Sequence, residues 1–108
     1  MKKITILALS LCLVAGGSAL ADAKANWSAK CAGCHGADGS GNTPMGKKVG
    51  AMNLTDASKQ AAFSDAQAAA AIKDGVKEGG KTKMTAFGDK LSEADIKALV
   101  AYVRTLKK

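Results

Sequence analysis

The chain has 108 residues, 47% of them hydrophobic and 23% charged, with 16 basic side chains against 9 acidic ones. That length holds one compact domain and not two, and these fractions exclude a disordered or fibrous chain. Three Cys and a single His confine any metal or redox chemistry to a few positions.

In chain order, the first element is a targeting segment. Met1-Lys2-Lys3 is positively charged, Ile4 to Ala15 is almost wholly apolar, and Ala19-Leu20-Ala21 is a small-x-small sequence. These are the three parts of a secretory signal peptide, expected over residues 1–21, with cleavage after Ala21 and export to the periplasm. The apolar run is too short to span a bilayer and is followed by Gly16-Gly17-Ser18, so no membrane span is expected in the mature chain, residues 22–108. Cys12 leaves with the signal. The mature chain keeps Cys31 and Cys34 and carries 14 basic and 9 acidic residues, a net charge of +5. Its only aromatics are Trp27, Phe63, Phe87 and Tyr102. A core that small commonly needs a metal, a cofactor or cross-links to be stable.

The mature chain reads as helices joined by glycine-rich loops. A helix is expected from about Asp22 into Cys31, with Ala23, Trp27 and Lys30 on adjacent turns. Gly36 to Gly50 reads as loop. Thr55 to Ala62 is a short helix capped by Asn53 or Thr55. The next helix starts at Ser64, where Ser-x-x-Gln to Gln67 forms a capping box, and runs through an Ala-rich stretch to Ile72 before stopping near Gly75. Gly79 to Gly88 reads as loop. The last helix is capped by Ser92 with Asp95, and Leu91 and Ile96 form a staple pair across the cap. Ile96, Leu99, Val100, Val103 and Leu106 then recur at helical spacing. No segment alternates apolar and polar residues, so no strand is expected. The fold class is all-α, with long loops carrying the site.

The chemistry sits at Cys31-Ala32-Gly33-Cys34-His35. Cys-x-x-Cys-His is the attachment signature of a c-type haem. Two thiols three residues apart reach the two vinyl groups of the porphyrin and form thioethers, and the next residue is thereby placed under the iron as its proximal ligand. Other uses of these residues fit less well. A zinc site needs four ligands, and the mature chain offers no Cys or His outside this cluster. A thioredoxin-like pair needs a βαβ context. A structural disulfide leaves His35 unexplained.

One motif implies one haem. With His35 the only histidine, the sixth iron position falls to Met, Lys, water or an exogenous ligand. The mature methionines are Met45, Met52 and Met84, and chain reach excludes none of them. Met84 lies in a polar, Gly-flanked loop where packing gives it no reason to be. Met52, beside Leu54, reads equally as core filler.

At these residues the chain resembles the small class I c-type cytochromes of bacteria, which include soluble monohaem carriers and cytochrome domains of respiratory enzymes. The resemblance covers nearly all of residues 22–108. It rests on the Cys31–His35 motif with Gly36-Ala37-Asp38-Gly39, on the Met84-Thr85-Ala86-Phe87-Gly88 loop, and on Leu91 to Val103. It implies the class I cytochrome c fold, three to four helices wrapped around one covalent haem c and its iron. Cys31 and Cys34 would carry the thioethers, His35 would be the proximal ligand and Met84 the distal one. Pro44, the only proline, falls where relatives place the carbonyl that receives the proximal histidine's other N–H, a bond that would orient His35. Ala23, Trp27, Leu99 and Tyr102 resemble the four residues at which the family's first and last helices cross. Two positions depart from the family: Thr85 stands where many relatives have Pro, and Ala23 where Gly is common.

The resemblance implies a soluble electron carrier with no catalytic residue, cycling Fe(II)/Fe(III) between redox partner proteins. A monomer is expected. Lysines such as Lys30, Lys47, Lys81 and Lys83 would steer it toward acidic docking faces. Nucleic acid is an unsuitable partner for an exported chain of moderate charge. Two alternatives stand beside the carrier: a haem enzyme or sensor with a displaceable sixth ligand, and a cytochrome subunit of a respiratory complex.

Overall fold

The computed structural model describes residues 22–108, and the expected signal peptide lies outside the described residues. The first element, α1, is helical over 22–26, widens into a π-helical turn at Trp27–Cys31 and closes as Ala32–His35. The Ala32 N–H reaches back five residues to the Trp27 carbonyl. This wider turn leaves both Trp27 and Cys31 buried. Gly36, at φ 87°, ends the helix.

Four more helices follow: α2 (Pro44–Val49), α3 (Ala57–Ala61), α4 (Asp65–Asp74) and α5 (Glu93–Arg104). The α4 and α5 caps are those expected, with reciprocal Ser64/Gln67 and Ser92/Asp95 capping boxes. The α3 cap is Asp56, which accepts N–H bonds from Ser58 and Lys59. Asn53 Oδ1 instead takes the Thr55 N–H at 3.0 Å, one residue upstream of that cap.

Two expectations need correction. The Gly36–Gly50 stretch is not all loop: it holds α2, one of five helices among the described residues. In α2, Thr43 is the cap, Pro44 opens the first turn with its preset φ, and Gly50 closes it at φ 74°. Six residues are too few to show an apolar period, so only these end signals mark it. The second correction is a hairpin of β1 (Val76–Glu78) and β2 (Lys81–Met84), antiparallel with Glu78 opposite Lys81. Gly79 and Gly80, at φ 57° and 79°, form the two-residue turn, a conformation that nearly requires glycine at both positions. Strands of three and four residues are too short for alternation to be visible.

The core gathers Trp27 and Cys31 from α1, Leu54 from the α2–α3 connection, Ile72 from α4, and Ile96, Leu99, Val100 and Val103 from α5. The α5 stripe is thus buried as its period implies, and Leu99 is fully enclosed. At the expected helix crossing Ala23 is buried, and the Trp27 and Tyr102 rings lie 5.8 Å apart. Among the described residues no helix is long and apolar enough to cross a membrane.

Candidate haem site

The end of α1 presents the motif. Cys31 is buried, Cys34 and His35 are half-buried, and neither thiol is in a disulfide. Hydrogen bonds pin the backbone around them. The Thr43 hydroxyl donates to the Cys34 carbonyl at 2.7 Å while accepting the Gly46 N–H at 2.8 Å, tying the motif to the start of α2. The Gly41 N–H donates to the His35 carbonyl at 2.6 Å. Trp27 Nε1–H donates to the Gly36 carbonyl at 3.2 Å, and its ring lies 5.7 Å from the imidazole.

His35 Nδ1 is 3.3 Å from the Met52 carbonyl. A carbonyl only accepts, so this contact selects the tautomer with hydrogen on Nδ1 and leaves the Nε2 lone pair free for a metal. The expected partner was the Pro44 carbonyl, and this needs correction. Pro44 is the exposed first residue of α2, and the chain returns to His35 only after that helix, at Met52. A backbone carbonyl has no residue-type signature, so no sequence signal marks Met52 for this role. Burial lowers the His35 pKa and so favours the neutral imidazole a metal requires, while the hydrogen bond to the Met52 carbonyl pulls the other way. Burial likewise pushes the Cys31 thiol up to about 11, with Lys30 pulling the other way.

The motif opens into a cleft of about 660 Å³. Cys31, Cys34 and His35 line it together with apolar side chains that include Leu54, Phe63, Ile72 and Leu99. The hairpin contributes Val76, Thr82 and Met84. All three methionines of residues 22–108 reach this cleft. Met45 and Met52 are exposed, whereas Met84 is half-buried and packs against the core cluster. The donor set fits a covalently bound haem: two free thiols for the vinyl groups, an imidazole with one free nitrogen, and a thioether in one largely apolar cavity.

The position of Met84 depends on Gly75. The Phe87 and Gly88 N–H groups donate to the Ile72 and Lys73 carbonyls at 2.8 and 3.0 Å, fastening the chain beyond the hairpin to the end of α4. Gly75 sits between, at φ 78° and ψ −178°, a region essentially restricted to glycine. A Cβ there would lie 2.6 Å from the Met84 carbonyl oxygen and 2.9 Å from the Ala86 nitrogen. Gly75→Ala is expected to cost about 1–3 kcal/mol and to displace the segment from Met84 to Ala86. Thermal denaturation checks the cost, and the NMR shift of the Met84 methyl checks the displacement.

The same architecture occurs in known proteins. The chain superposes on the KustC0563 c-type cytochrome with a TM-score of 0.69 at 35% identity, covering 81% of this chain and 99% of that one. A point mutant of that cytochrome gives the same TM-score at 36% identity, with 80% and 99% covered. The chain is also 41% identical over 80 residues to the cbb3-type cytochrome c oxidase subunit FixP of Azorhizobium caulinodans. That alignment covers 74% of this chain, which spans only about a quarter of the length of that relative. The family model for cytochrome c matches residues 15–107. With this match over most of its length and a class I fold around the cleft, the chain belongs to the cytochrome c family, small electron-transfer proteins that bind haem c and its iron covalently.

Proposed function

We propose that the chain, exported to the periplasm and cleaved after Ala21, is a soluble monohaem electron carrier. In this reading Cys31 and Cys34 would hold the haem, and His35 and Met84 would bind its iron. The observation that carries it is the cleft itself, which gathers two free thiols, an imidazole committed at Nδ1 and a half-buried thioether. When bound, the haem supplies a one-electron Fe(II)/Fe(III) couple. The Met52 carbonyl and the Trp27 ring hold the His35 plane, so its geometry need not change between redox states. Leu54, Phe63 and Leu99 keep water from the cleft. A neutral thioether at Met84 favours the ferrous state relative to a second histidine. Lys30 and Lys83 line the same cleft. They would attract acidic docking faces on redox partners, an attraction that weakens with salt.

Optical spectroscopy of the haem-loaded protein tests the ligand set. Wild type is expected to show the weak red charge-transfer band of sulfur ligation in its ferric state, to bind carbon monoxide poorly, and to lose the band in Met84→Ala. A band that survives this change moves the ligand to Met45 or Met52. Ready carbon monoxide binding by wild type favours a haem enzyme or sensor instead.

The likeness to an oxidase subunit supports a second reading, in which the chain works as a cytochrome subunit of a respiratory complex. Fractionation separates the two. A free carrier appears as a monomer in the periplasmic extract, and a subunit stays with the membranes.

A further inference from the structure

Gln60 is the only buried polar side chain among the described residues, at 1% exposure. Its Nε2 donates to the Leu54 carbonyl at 2.7 Å and the Val103 carbonyl at 2.8 Å, while Oε1 accepts from Arg104 Nη1 at 3.1 Å. Arg104 Nη1 also donates to the Gln60 carbonyl at 2.7 Å, Nη2 to the Phe63 carbonyl at 2.8 Å, and Nε to Asp65 Oδ1 at 2.9 Å. Its Cζ lies 4.5 Å from the centroid of the Phe63 ring. Leu54, Phe63 and Val103 all line the cleft. One guanidinium and one amide therefore fix three segments of the cavity wall. Only the planar fork of arginine supplies donors in this pattern.

We propose that Arg104, held by Gln60, is a positioning and tuning residue for the haem, a fixed cation behind Phe63 that raises the reduction potential. Arginine stays protonated at every working pH. A positive charge beside a redox centre opposes the more positive, oxidised state, so the ferrous form is favoured. Asp65 offsets this only in part: its side chain is 75% exposed and well screened by solvent, against 28% for Arg104. The Phe63 ring both lines the cleft and stacks on the guanidinium, so this face of the cation meets apolar carbon rather than water and its field there is screened less.

The inference rests on the haem-carrier reading, and the red charge-transfer band recorded in every variant keeps the two apart. Potentiometric titration of haem-loaded wild type, Arg104→Gln, Arg104→Lys and Asp65→Asn is the test. Arg104→Gln is expected to lower the potential and Asp65→Asn to raise it, both shifts shrinking at high salt. Arg104→Lys retains most of the potential but loses thermal stability, because the charge remains and the fork is gone. A potential unchanged in Arg104→Gln, or shifts of the same sign in Arg104→Gln and Asp65→Asn, would overturn the proposal and leave the knot purely structural. Asp65→Asn alters only an exposed side chain, so it decides the sign even if Arg104→Gln does not fold. A missing band in wild type would count against the ligand assignment and leave this result to be read on its own.

Discussion

Gly46→Ala is expected to destabilise the protein by about 3 kcal/mol or more and to reduce sharply the yield of haem-loaded protein. Gly46 is buried in α2, where a Cβ would collide with the Cys34 carbonyl oxygen and fall 2.5 Å from the Gly41 carbonyl and 2.8 Å from Thr43 Oγ1. Two of these neighbours are backbone and the third is the hydroxyl that anchors Cys34. None can yield without moving the attachment motif. For a domain of this size the penalty corresponds to a fall in melting temperature of roughly 12–24 °C. Gly33→Ala is the control inside the same motif. A Cβ at Gly33 meets nothing within 4 Å, so that change is expected to alter stability by no more than about 0.5 kcal/mol. Thermal denaturation of the two variants side by side, with haem content read from the pyridine haemochrome spectrum, checks both.

Leu99→Ala should cost about 3–5 kcal/mol, a large share of the roughly 5–15 kcal/mol that holds a domain together. Leu99 has no exposed surface and contributes to both the core and the cleft wall, so its loss opens a cavity where α5 meets α1 and the haem site. Surrounding helices tied by capping boxes and by the Gln60–Arg104 bonds have little freedom to collapse into it. Urea denaturation is the measurement. The midpoint is expected to fall with its slope unchanged, because the surface exposed on unfolding stays nearly the same.

The parts of this molecule that are legible in the sequence are those written locally. The Ser64 and Ser92 boxes each lie within four residues, and the α5 stripe repeats enough times to show its period. Cys31-x-x-Cys34-His35 is legible for the same reason. Short elements are marked only by their ends: Thr43-Pro44 and Gly50 around α2, and Gly79-Gly80 between the strands. Those signals are present but small beside the glycine-rich composition around them. Contacts between distant residues leave no local trace. Gln60 and Arg104 are 44 positions apart, and neither residue type alone announces a bond to the other. The carbonyl at Met52 is a property of the chain's path and carries no residue-type signal, unlike the only proline eight residues before it.

The hairpin that ends in Met84 has a consequence for time scales. Its strands are three and four residues long and partly exposed, whereas the motif side of the cleft sits on α1, whose Trp27 and Cys31 belong to the one core. Small units with few buried groups open separately from the core, and a hairpin reforms within about 1–10 μs. The two sides of the cleft therefore keep different time. The motif side is as permanent as the fold, and the hairpin side is a latch that can lift and reseat many times within the lifetime of a single native state.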